Sequence, residues 1–233
     1  MRPIPFFMLL LWVATGCLAG EDPGADPENG QMVFDSASVA EGVEVDSLQT
    51  PFEGELIHTL SWKDASGANT LVISGLAAYP LNEDIRRAAF FAYAYARGDS
   101  LTASQWELQE VVDSCYCDCA VELAEGPIPV RDVDQDGIAE VFLMYFLNDL
   151  CDASPMPTRL TVASGKNLYP LEGYTRRFLA PDLPGVTTLT PGSTFGSASP
   201  AIQKAAYQFW EDYLRKEQAA FEVFQKEGEK NKD

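Results

Sequence analysis

Apolar and polar positions alternate with a period of two through most of the stretch 52–178, and the alternation breaks at short clusters of Gly, Ser, Asn and Asp. Runs of this kind, bounded by turn residues, are the signature of strands joined into hairpins. Residues 56–62 and 70–74 flank a turn at 64–69 and predict the first hairpin. Residues 86–97 fit either period, with alanines that suit a helix and Phe90, Phe91, Tyr93 and Tyr95 that suit a strand. We assign a strand, because the following Arg97-Gly98-Asp99-Ser100 is a turn signal and residues 106–112 alternate. The Arg-Gly-Asp triplet is read as that turn and not as an adhesion motif. A second hairpin runs from 128–130 to 139–147 around an acidic loop, and a third joins 159–163 to 168–171 across Ser164-Gly165-Lys166-Asn167.

Residues 179–198 are rich in Pro, Gly, Ser and Thr and should be irregular. A helix follows over 199–227, with Ser199 as N-cap and Pro200 in the first turn. Ile202, Ala206, Phe209, Tyr213, Ala220 and Phe224 recur near helical spacing, so one face can pack on a sheet, and Phe209-Trp210 belongs to the core. Residues 228–233 form a frayed tail. The expected fold is mostly β (α+β): an antiparallel β-meander of hairpins packed by one C-terminal helix. A meander of sequential hairpins needs a second layer over its apolar face.

The first 51 residues follow a different logic. Met1-Arg2 precedes a short apolar run from Phe6 to Val13, then Ala14-Thr15-Gly16-Cys17. A basic start, an apolar centre and small residues describe an export signal, and the run is too short to span a bilayer. The tetrapeptide resembles the lipobox of bacterial lipoproteins, with Ala14 where leucine is commoner. That resemblance implies removal of residues 1–16, lipidation of Cys17 and attachment to a membrane. A three-chain lipid, at about 0.8 kcal/mol per buried CH₂, would hold the protein there essentially permanently. Leu18 stands where an aspartate would favour inner-membrane retention, so the resemblance points to the outer membrane of a bacterial cell envelope. Residues 17–51 then carry the lipidated cysteine and a tether that contains no Lys or Arg. Such a segment buries too little apolar surface to offset its ordering entropy.

Charge narrows the partners. The chain carries 35 acidic against 16 basic residues, a formal charge of −19, which becomes −20 once Arg2 is removed. Nucleic acid is excluded as a partner, because its recognition needs a positive footprint. Hard cations, an envelope protein or a glycan remain.

The candidate chemistry lies in Asp132-Val133-Asp134-Gln135-Asp136-Gly137-Ile138-Ala139-Glu140. Acids at loop positions 1, 3, 5 and 9 around a glycine turn supply the oxygens that Ca²⁺ takes six to eight at a time. These nine residues resemble the calcium loops of FG-GAP repeats. The resemblance implies side-chain oxygens from Asp132, Asp134, Asp136 and Glu140, the backbone carbonyl of Ile138, and a structural Ca²⁺ that braces the hairpin. An EF-hand fits less well: Leu143 stands where its bidentate glutamate belongs, and a strand follows. The affinity expected is that of extracellular modules, about 10⁻⁴ to 10⁻³ M. A bare acidic turn with Gly137 at positive φ is the alternative, opposed by the repulsion among four crowded carboxylates.

Cys115, Cys117, Cys119 and Cys151 remain beside Cys17, an even number that in an exported domain usually forms disulfides. If a strand persists through 115–119, its three cysteines share one face. Zinc ligation is the alternative, disfavoured by their spacing of one residue. A wider resemblance covers residues 106–213, carried by Asp118-Cys119, the acidic loop, Tyr145, Cys151-Asp152-Ala153-Ser154-Pro155, Glu172-Gly173 and the helix from Pro200 to Trp210. It is to small exported bacterial proteins catalogued as surface polysaccharide biosynthesis proteins. That resemblance implies a Cys119–Cys151 disulfide and brings no catalytic residue; Cys115 and Cys117 depart from its pattern.

His58 is the sole histidine and lies in a strand, and no nucleophile elbow, phosphate loop, dinucleotide fingerprint or zinc-protease motif occurs. The reading is therefore a lipid-anchored envelope module without catalytic activity, braced by Ca²⁺ and a disulfide. The alternative is a carboxylate-dependent enzyme acting on surface glycans, since paired acids need no histidine.

Overall fold

The structure, a computed structural model, describes residues 40–41, 52–83, 85–96, 104–115, 119–149, 155–175 and 189–230. All belong to one compact unit, Ser36–Asp233. The expected signal and nearly all of the tether, Cys17, Cys117, Cys151 and the 97–100 turn lie outside the described residues.

Strands β1 (Ala40–Glu41), β2 (Glu55–Asp64), β3 (Gly67–Pro80), β4 (Arg86–Ala96) and β5 (Ser104–Cys115) form one antiparallel sheet in sequence order. Strands β6 (Ala120–Leu123), β7 (Val130–Arg131), β8 (Glu140–Asn148), β9 (Met156–Ser164), β10 (Asn167–Thr175) and β11 (Thr190–Pro191) form a second. Its order is β11-β10-β9-β8-β6, with β7 also paired to β8. A 3-10 turn at Phe195–Ser197 leads into α1 (Pro200–Lys230). The protein is mostly β, as expected, with its hairpins divided between two sheets and a single helix among the described residues.

Stacking follows from which faces are apolar. Leu60, Trp62, Leu71, Ile73, Phe90, Ala92 and Trp106 of the first sheet meet Val130, Val141, Leu143, Tyr145 and Ala163 of the second. On the other face of the second sheet, Phe142, Met144, Leu160, Val162 and Leu171 meet Ile202, Ala206 and Trp210 of the helix. The second sheet is thus the middle layer, and β8 is buried on both faces, which explains its unbroken apolar run. Strand β4 is likewise buried along almost its whole length. Its outward Phe91, Tyr93 and Tyr95 stack in a row with centroids 6.2 Å apart. Two-sided burial removes the alternation that would have separated strand from helix in 86–97.

The helix begins where expected: Ser199 Oγ accepts the Ile202 N–H at 3.2 Å, leaving Pro200 at a position that needs no donor. It continues past Gly228 to Lys230, three residues beyond the expected end. Close contact with the middle sheet depends on Gly173, where an added Cβ would lie 2.7 Å from the Trp210 ring and 2.8 Å from Leu189.

The cysteines require a correction. Strand β5 ends at Cys115 and belongs to the first sheet, whereas β6 starts at Ala120 in the second. The strand does not persist through 115–119. The chain changes sheets there, bringing the Cα atoms of Cys115 and Cys119 to 5.8 Å and joining their sulfurs. Cys119 is therefore committed to Cys115, not to Cys151 as the family resemblance implied. Around the bridge, Ala88, Val112, Val121 and Leu147 close a small apolar corner between the sheets.

Candidate cation site

The acidic loop joins β7 to β8, and its local shape follows from its own side chains. Asp132 Oδ1 accepts the Asp136 N–H at 3.1 Å and its Oδ2 the Gly137 N–H at 2.8 Å; Asp136 Oδ1 accepts the Ile138 N–H at 2.7 Å. These bonds reverse the chain through two left-handed positions, Gln135 at φ 61° and Gly137 at φ 90°. Glycine adopts the second without steric cost.

The loop rests on the first sheet. Ala65, in the β2–β3 turn, donates its N–H to the Gly137 carbonyl at 2.8 Å, and Asp64 Oδ2 accepts the Ala139 N–H at 3.1 Å. An added Cβ on Gly137 would approach Ala65 Cβ to 3.0 Å. Asp64 is itself fixed by the Trp62 indole N–H at 3.0 Å and by Ser66 and Asn69. Burial works to raise the Asp64 carboxyl, but the Ser66 hydroxyl, the Ala139 and Ser66 N–H groups and the indole together hold it below the usual value. The Ser-Gly composition of 64–69 marked a turn; that its aspartate would hold a loop 75 residues away has no local signal.

Within the loop the Asp132, Asp134 and Asp136 carboxylates converge, with one oxygen of each inside 4.8 Å of the others. Asp134 Oδ1 is buried without a hydrogen-bond partner. Hydrogen bonding to the loop leaves each accepting oxygen of Asp132 and Asp136 a further lone pair. Three hard carboxylate oxygens at a sharp turn fit an oxygen-preferring cation, which would draw its remaining ligands from backbone carbonyls and water. Ile138 stands half-buried at the loop exit.

Glu140 does not join this group. Its side chain is fully buried, with Oε2 accepting the Val133 N–H at 2.8 Å and Oε1 the Ser164 hydroxyl at 2.9 Å. Burial, against the pull of those two donors and helped by the charges of Asp134 and Asp132, pushes its carboxyl up to about 7. Residue 140 is already the first of β8, paired with Arg131, so strand alternation turns its side chain beneath the loop. Beside it the Arg131 guanidinium lies 4.8 Å from the Phe142 ring centroid. Burial lowers the Arg131 pKa, opposed by Asp212 and Glu140.

A second polar group spans the two sheets. Tyr145, stacked on Phe90, donates its hydroxyl to Glu110 Oε1 at 2.9 Å. Arg159 donates to Glu110 and lies 3.4 Å from Glu172. Burial, then the neighbouring Glu110 charge, raises the Tyr145 hydroxyl above its ordinary value. The two acids meet a shared guanidinium, an arrangement that ties strands together. His58 sits half-buried in β2 beside an irregularity in the β2–β3 register.

Comparison with protein-family models, with curated proteins and with solved structures finds no match to this chain.

Proposed function

We propose that this chain is a lipid-anchored module of the bacterial cell envelope, without catalytic activity, that presents a β-rich domain to an envelope protein or glycan and is braced by Ca²⁺ at the acidic loop. The observation that carries the reading is the convergence of Asp132, Asp134 and Asp136, with a buried Asp134 oxygen that lacks a protein donor. Asp132, Asp134 and Asp136 hold the ion through carboxylate oxygens. Glu140, turned inward, fixes the Val133 end of the loop instead of ligating. Bound there, Ca²⁺ supplies charge compensation and rigidity at the point where the loop from the second sheet rests on the β2–β3 turn of the first. It takes part in no reaction.

Cys17 anchors the mature chain, the acidic stretch after it spaces the domain from the bilayer, and the outer membrane is the expected address. The link to surface polysaccharide rests on the resemblance over residues 106–213. The engagement of Glu110 and Glu172 by Arg159 favours binding over glycan hydrolysis, which needs one protonated and one ionised acid across a substrate.

Calorimetric titration of the chain with CaCl₂ tests the cation. One saturable site is expected, weakened at least about tenfold in Asp134→Asn, because Ca²⁺ affinity follows ligand charge. Absence of a saturable site in the millimolar range sinks the reading. Envelope fractionation tests the anchor: Cys17→Ser should move the protein from the membrane to the soluble fraction, and retention on the membrane contradicts lipidation.

A further inference from the structure

The exit of the acidic loop is held from outside the loop. Two hydrogen bonds with the β2–β3 turn grip the backbone on either side of Ile138. Ala65 donates its N–H to the Gly137 carbonyl at 2.8 Å, and Asp64 Oδ2 accepts the Ala139 N–H at 3.1 Å. A trans peptide is planar, with its C=O and N–H pointing opposite ways, so each bond also fixes the group at the other end of its peptide unit. In the Gly137–Ile138 unit the carbonyl faces the turn, and the Ile138 N–H faces away from it to meet Asp136 Oδ1 at 2.7 Å. In the Ile138–Ala139 unit the N–H faces Asp64, which directs the Ile138 carbonyl away from the turn. The N–H and carbonyl of Ile138 therefore leave the backbone on the same side, that of Asp136 and the converging carboxylates.

Asp64 is itself rigidly held. Its Oδ2 also accepts the Trp62 indole N–H at 3.0 Å, and its Oδ1 accepts the Ser66 N–H, the Ser66 hydroxyl and the Asn69 amide. Asn69 is 1% exposed and accepts in turn from Gln105 at 3.0 Å. A chain of polar bonds thus runs from β5 through β3 to the carboxylate that fixes the Ile138–Ala139 peptide. A tie between sheets needs only an acceptor; a carboxylate at this place also adds negative charge beside the loop.

We propose that Asp64 is a positioning residue of the cation site: by holding the Ala139 N–H it aims the Ile138 carbonyl at the ion, as a ligand beside Asp132, Asp134 and Asp136. The proposal rests on the cation reading above and adds that the site spans both sheets, its affinity set in part by the first. Groups that orient metal ligands typically contribute about 10- to 100-fold in affinity.

Calorimetric titration of the full chain with CaCl₂, paired with Tb³⁺ luminescence, tests this. Tb³⁺ is an oxygen-preferring stand-in for Ca²⁺ whose lifetimes in H₂O and D₂O count its bound waters. Asp64→Asn should keep its oxygen towards the donors of Ser66 and Asn69 and turn its amide to the Ala139 N–H, releasing that peptide. Ca²⁺ affinity should fall about tenfold or more in this variant. Bound Tb³⁺ should gain about one water, which replaces the lost carbonyl. Ser66→Ala removes one exposed donor to Asp64 and should weaken Ca²⁺ in the same direction by less. A cooperative unfolding transition in chelator reports that each variant folds.

Wild-type affinity and an unchanged water count in Asp64→Asn overturn the proposal and leave the cation reading standing. Weaker binding with an unchanged water count also overturns it, because loss of charge alone then accounts for the effect. If Asp64→Asn does not fold, unchanged affinity in Ser66→Ala overturns it. A wild-type chain that takes up neither Ca²⁺ nor Tb³⁺ overturns both readings.

Discussion

Glu140 illustrates what spacing reveals at the scale of one residue and what it hides. The 1-3-5 spacing of Asp132, Asp134 and Asp136 was legible because a tight loop brings alternate side chains to one side whatever the surroundings. The ninth position was not, because there the chain is already strand and the partner that receives the side chain, Ser164, comes from another hairpin. Burial makes this carboxyl a pH sensor of known sign. Its pKa is raised from 4.5 to about 7 on folding. The folded state therefore binds the proton more tightly, and the stability this provides is complete below about 4.5 and lost as pH rises through about 7. A shift of that size corresponds to on the order of 3 kcal/mol. In chelator, Glu140→Gln, which keeps an acceptor for Val133 and a group for Ser164, should be more stable than the wild type at pH 8. The gap should narrow towards pH 5 in urea unfolding at the two pH values; a gap independent of pH would contradict a buried, proton-binding Glu140.

Among the elements, alternation identified strands where one face meets water, whereas strands covered on both faces were read from their flanking turn signals. Strand β10 alternates buried and exposed positions over most of its length, and its turn with β9 falls at 165–166 as the Ser-Gly-Lys-Asn cluster indicated. Strands β4 and β8 lost that alternation to two-sided burial. Strand β6 and the change of sheet between Cys115 and Cys119 escaped notice because periodicity reports a residue's face and not its sheet. Closing so short a loop still contributes about 2 kcal/mol on the chain-entropy account. Helix packing makes a sharper prediction. Gly173 and Trp210 meet so closely that Gly173→Ala should destabilise by about 1–3 kcal/mol through overpacking, with little change in the dependence on denaturant. A neutral or stabilising Gly173→Ala in urea unfolding would show that the helix can retreat from β10 at no cost.

At the scale of the whole molecule, two sheets share one apolar core, and polar ties mark its margins. Glu110, Tyr145 and Arg159 join the sheets at one place; the acidic loop, resting on Asp64 and Ala65, joins them at another. Nothing in the linear order of residues announced either tie, since each links segments far apart in sequence. The second tie gives the proposed cation its consequence: fixing three carboxylates at the loop also fixes the seam with the β2–β3 turn. The most direct measurement is the thermal unfolding midpoint of the chain in chelator, in 10-fold steps of CaCl₂ up to millimolar, and in matched MgCl₂. A ligand that binds only the folded state adds about 2.7 kcal/mol at a hundred times its dissociation constant. A midpoint that climbs with Ca²⁺ by several degrees, climbs much less with Mg²⁺ and stays flat in Asp136→Ala is the predicted result. A midpoint unmoved by Ca²⁺, or moved equally in Asp136→Ala, would contradict a cation brace at this loop.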